Sequence, residues 1–229
     1  GRVHEDMIRR LTKGTHHCAF KVDPYAKAPG DPYKAACNTL FTQAVCPAGA
    51  ADAASLGSPG VNQSLFLVLD SASGQSSGRL VQAGACPANV FVPNLYPHAV
   101  HSLRGLGVAA FLGDVRDYVA AIRRETDASG VQGGCLDGIY FDMCGSVSSM
   151  AGSFEHAMRL VRHGGVLALS LDHRDHLAPS GVRPVDWCVE LLRVAAAEAG
   201  ARLTPLPVSG GDGGLAPGAV AMDITSVEG

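Results

Sequence analysis

No apolar run in the 229-residue sequence approaches the ~20 residues that a membrane-spanning helix needs. No secretory signal opens the chain, which starts at Gly1 rather than Met, as a fragment or a processed product does; a targeting segment removed earlier is compatible with that start. No excess of one charge is present either. Eighteen basic against twenty-one acidic residues leave a net charge of -3, which argues against broad electrostatic capture of nucleic acid. Arg123, Arg124 and the scattered other cations read as an ordinary solvated face. The seven cysteines form no C-x-x-C pair, and the spacings Cys37 to Cys46 and Cys135 to Cys144 match no common zinc site. They read as reduced thiols of an intracellular protein, cytoplasmic by default, several serving as small core residues. Two nucleotide signatures are missing as well. No G-x-x-x-x-G-K-[ST] occurs, which sets aside a P-loop enzyme, and no G-x-G-x-x-G follows the first strand.

What the sequence does have is 47% hydrophobic residues, enough to fill the core of one ordinary domain with an appendage. Residues 1–60 differ from the rest in their prolines and tyrosines, and read as an N-terminal segment of short helices. The clearest of these covers residues 31–45, with Pro32 at its first turn and Ala35, Leu40, Phe41 and Ala44 on an apolar face. After Gly60 the pattern becomes regular. Strands are predicted at 64–70, 89–94, 108–114, 136–142 and 166–172, each followed by an amphipathic helical stretch. The helix over 148–165 carries Met150, Phe154, Met158 and Val161 in register and ends at Gly164 and Gly165. Strand then helix, five times, means a doubly wound, mostly parallel α/β sheet. Two further strands, 201–208 and 219–227, follow each other with no helix between, so one of them runs antiparallel.

In such sheets ligands bind beyond the C-terminal strand ends. There the strands deliver, in turn, Asp70 with its loop "SASGQSSG", Asn94, Asp114, Asp142, and the run "LDHRDH" containing His173. Each has a plain structural role beside a ligand role. Asp70 caps a strand or bonds to its own loop, Gly74 and Gly78 serve the turn, and Asn94 sits between Pro93 and Pro97 as a turn residue does. Asp114 is a preferred helix N-cap. Cys144 reads as a packing residue, and neither "LDHRDH" nor "THHC" at residues 15–18 has the geometry of a metal site.

Together these strand ends resemble the class I S-adenosylmethionine-dependent methyltransferases, over roughly residues 61–229. The resemblance implies a seven-stranded sheet with an antiparallel last strand, and residues 1–60 as a cap over the substrate. It implies S-adenosyl-L-methionine as cofactor, with the loop residues Asp70, Ser71, Ser73 and Gly74 against its methionine part. Asn94 stands where the family has a ribose-binding acid, and Asp114 where an acid lies near adenine. Asp142 would face the acceptor as the catalytic group, with His173 and Tyr25 on the substrate side. The loop departs from the family's three-glycine pattern, and "DMCG" lacks the (D/N)-P-P-(Y/F) motif of enzymes that methylate nucleic-acid amino groups. Two other readings stand beside this one: a methyltransferase-like domain that binds partners without catalysing, and an NAD-type oxidoreductase. The sequence names no acceptor and no oligomeric state; small molecules and proteins are both open.

Overall fold

The computed structural model describes residues 32–46, 60–130, 133–142, 147–170, 179, 181–205 and 219–226. Its elements run α1 (Pro32–Val45), β1 (Phe66–Val68), α2 (Gln75–Gln82), β2 (Val90–Asn94), α3 (Pro97–Gly105), β3 (Ala109–Leu112), α4 (Val115–Ala128), β4 (Leu136–Asp142), α5 (Ala151–Leu160), β5 (Val161–Ser170), α6 (Pro184–Glu198), β6 (Ala201–Pro205) and β7 (Ala219–Ser226). Among these residues no helix is long and apolar enough to cross a membrane.

Five parallel strands form the body of the sheet, in the spatial order β3-β2-β1-β4-β5. The alternating-element pattern predicts this, because a parallel pair needs a crossover long enough for a helix. Beyond β5 lies β7, antiparallel to it through pairs such as Leu167 with Met222, and β6 pairs antiparallel with β7 on the far side. The chain thus winds outward from β1 to β3, then returns to the other side of β1 with β4. The strand order reverses between β1 and β4.

Successive strand residues point to opposite faces, and the two faces carry different helices. Phe66, Val68, Val90, Val92, Tyr140, Val166 and Ala168 pack with Cys37 and Phe41 of α1, Leu80 of α2 and Leu103 of α3. Leu67, Phe91, Phe111, Ile139, Phe141, Leu167 and Leu169 pack with α4, α5 and α6. In α4 the stripe Val115, Tyr118, Val119 and Ile122 is buried, as its helical spacing predicts. Helix α1 comes close to β4 because Gly138 has no side chain: a Cβ there would lie 2.9 Å from Val45 Cγ1 and 3.0 Å from Phe41 Cζ.

Two boundaries differ from the sequence reading. The helix over 148–165 ends early, at Leu160, and β5 starts directly at Val161, which pairs with Leu136. A register shift between Leu136 and Gly138 then absorbs the residues around Gly164, so the glycines lie within a strand and do not close a helix. Second, Gly78 is no turn residue. It lies inside α2, and a Cβ on it would meet nothing within 4 Å.

Candidate functional site

The loop after β1 is built around one buried carboxylate. Asp70, 7% exposed, accepts hydrogen bonds from the Ser77 amide at 2.8 Å and the Ser77 hydroxyl at 2.6 Å, and from the Ser71 amide at 2.8 Å. A helix starts with amides that have no partner inside it, and Asp70 takes one of them. Burial pushes its carboxyl above the ordinary range; the bonds from Ser77 and Ser71 pull the other way, and the nearby Asp142 charge adds to the push. Gly74 lets the chain enter α2 at φ +63, where a Cβ would stand 2.3 Å from Leu106 Cδ1. Ser71 and Ser73 hydrogen-bond to each other through their hydroxyls at 2.7 Å on the exposed side of the loop. The loop therefore carries small polar groups on its exposed side and packs its glycine against Leu106.

Asn94 ends β2 beside this loop. Its Nδ2 donates to the Asp70 carbonyl at 2.7 Å, and its Oδ1 accepts from the Tyr96 amide at 2.8 Å. A carboxylate could not make the first of these bonds. Asn94 thus ties the end of β1 to the start of α3. Asp114 N-caps α4, accepting from the Arg116 amide at 2.9 Å, and holds the Arg116 side chain in an ion pair.

Asp142 ends β4, next to β1, so Asp70 and Asp142 stand at adjacent strand ends where the order reverses. Behind Asp142 on the same face is Tyr140, buried and stacked on Phe41 with ring centroids 5.1 Å apart. Burial raises its phenol far above the ordinary range, with the charge of Asp142 adding to this and a contact from Ser170 opposing it. Tyr140 therefore stays protonated. His173 and Tyr25 lie outside the described residues, as do Cys144 and the histidines of "THHC". Among the described residues no group of three or more His, Cys, Asp or Glu side chains is placed to hold a metal ion.

The sequence reading missed three polar groups. Asn38 of α1 and Ser76 of α2 are both 2% exposed and hydrogen-bond to each other at 2.8 Å. Asp137 is buried at the opposite end of the sheet, accepting from the Leu65 amide at 2.7 Å and pairing with Arg162. One signal was available for Asn38: it stands on the apolar side of its helix, next to Cys37 and three residues before Phe41, where a solvated amide has no reason to be.

Neither a protein-family model nor a curated protein matches the chain. Solved structures do. Trm1 from Pyrococcus horikoshii, in complex with S-adenosyl-L-methionine, matches at a TM-score of 0.55 and 11% identity, over 91% of this chain and 59% of that one. A protein from Corynebacterium glutamicum matches at 0.53 and 13%, over 99% and 91%. The sugar N-methyltransferase KedS8 from a Streptoalloteichus species matches at 0.51 and 14%, over 93% and 100%. At such identities the likeness is one of fold, and function has to be argued from the site. The fold is the class I, Rossmann-like fold of the S-adenosylmethionine-dependent methyltransferases.

Proposed function

We propose that the protein transfers a methyl group from S-adenosyl-L-methionine to a small-molecule or protein acceptor. The observation that carries this reading is the pairing of two strand ends at the point of order reversal: Asp70 with its Gly74 turn on β1, and Asp142 on β4. Ligands of open α/β sheets lie in that crevice. The antiparallel β7 beside β5 supports the same reading. The residues fit the cofactor on one count: Ser71 and Ser73 present small hydroxyl side chains on the exposed side of the loop, while Gly74 is required by the loop's own packing against Leu106. Ser71, Ser73 and Gly74 would hold the methionine part, Asn94 a ribose hydroxyl through its spare amide hydrogen, and Asp114 the adenine side. When bound, the cofactor supplies an electrophilic methyl on a sulfonium.

The chain's own work is placement, from which most of the rate gain of such a displacement arises. Asp142 accepts a hydrogen bond from the acceptor's N–H or O–H, turns its lone pair to the methyl, and takes the proton the product sheds. Asp70 fixes the loop. A nucleic-acid acceptor is disfavoured by the balance of charge and by the "DMCG" sequence.

One observation favours a second reading, a binding module without catalysis. Asp70 and Asn94, the two residues at the family's ligand positions, direct hydrogen bonds inward to the protein's own backbone and to Ser77. Calorimetry with S-adenosylmethionine, S-adenosylhomocysteine and NAD separates the readings. Binding of the first two supports methyl transfer. No binding to any of the three supports the module, and binding of NAD alone supports an oxidoreductase.

A further inference from the structure

We infer that α1 is the structural backing of the nucleotide loop and that Asn38 is a positioning residue for it, so that binding at the loop and docking of α1 are thermodynamically linked. The inference rests on the nucleotide-binding reading of the loop. A short chain of buried contacts carries it. Asn38 Oδ1 accepts from the Ser76 hydroxyl at 2.8 Å, across 38 residues of sequence. Ser76 neighbours Ser77, whose amide and hydroxyl both donate to Asp70 Oδ2. One step joins α1 to α2, and the next joins α2 to the end of β1.

The same helix also grips β4. Phe41 stacks on Tyr140, and the missing side chain of Gly138 admits Phe41 and Val45 to the sheet. Helix α1 therefore bears on both strands whose ends form the crevice, β1 through the serines and β4 through its core face. Packing alone does not explain Asn38. A buried helix position that only filled space would favour an apolar residue, since a buried amide is stabilised only by a partner. Ser76 is that partner, and without Asn38 its hydroxyl would be left buried and unsatisfied, or α2 would shift. A shift of the first turn of α2 moves Ser77, and with it Asp70 and the Gly74 turn. Linkage is reciprocal: whatever orders the loop also seats α1.

Hydrogen exchange of the full chain with and without S-adenosylhomocysteine tests this. Adding the nucleotide should slow exchange at residues 71–78 and also at 37–46; slowing confined to 71–78 overturns the inference. Asn38→Ala and Ser76→Ala should each weaken S-adenosylhomocysteine binding about 5- to 20-fold. The double variant should be no worse than either single one, and Ser76→Thr, which keeps the hydroxyl, should bind like the original chain. Additive losses, or unchanged affinity in both single variants, overturn it. Where a single variant fails to fold, the exchange comparison on the original chain decides. If the original chain binds no nucleotide, the methyltransferase reading falls by itself. The linkage to binding falls with it, and only the positioning step is then read, in the free protein, where Asn38→Ala must speed exchange at residues 76–78 above the rest of α2; unchanged exchange there overturns that step too.

Discussion

Gly74 and Gly78 lie four residues apart in one stretch of chain, and the structure gives them opposite roles. Gly74 holds φ +63 with Leu106 where a Cβ would stand. Alanine there takes on a left-handed backbone costing ~1–2 kcal/mol, and a clash besides. Gly78 is helical with open space around it, so Gly78→Ala should stabilise by ~0.5–1 kcal/mol. Urea denaturation of the two variants should therefore move midpoints in opposite directions. Asn94 gives a second contrast. Placing an acid there with Asn94→Asp removes the donor to the Asp70 carbonyl and faces it with negative charge. The variant should lose ~1–3 kcal/mol of stability and bind S-adenosylhomocysteine more weakly. Tighter binding would mean that residue 94 grips a ribose directly and that the clamp is incidental.

At the scale of elements, α1 depends on one absence. Gly138→Val would drive a branched side chain into Val45 and Phe41 and should destabilise by ~1–3 kcal/mol or more. Exchange at residues 37–46 should rise beyond that in α4–α6 on the other face. The helices and parallel strands were legible because periodicity is a local property: Val115, Tyr118, Val119 and Ile122 announce their face without any partner. The boundary at Leu160 was not legible. Val161 continues the helical stripe of Met150, Phe154 and Met158 only by coincidence of spacing. Its backbone is claimed by pairing with Leu136, a distant partner that no local pattern contains. The same holds for the site. The strand-end polar residues were readable from the alternation of elements, whereas Asn38 with Ser76 and Asp137 with Leu65 are long-range pairs.

At the scale of the whole molecule, two buried carboxylates among the described residues hold their protons more tightly than in an unfolded chain. Burial is the main cause at both Asp70 and Asp137. At Asp70 the serine hydrogen bonds oppose it, and at Asp137 the Leu65 amide, Arg162 and Ser64 do. An unfolded aspartate releases its proton near pH ~3.9. Between that value and the raised native values the native state binds more protons than the unfolded one, so the slope of unfolding free energy against pH is negative. Stability from these two groups is fully present below about pH 4, is lost as pH rises through their native values, and levels off above them. Asp186, held by Arg183, is shifted the other way, but it is fully exposed and its share is screened by solvent. Urea denaturation at half-unit steps from about pH 4 to about pH 8 measures the slope. Asp70→Asn keeps an acceptor for Ser77 but has no proton to hold, so its curve should be flatter than that of the original chain, even where its absolute stability is lower. Asp137→Asn should flatten the remaining part in the same way, with loss of the Arg162 pair. Identical slopes in all three proteins would mean that neither carboxylate titrates in this window.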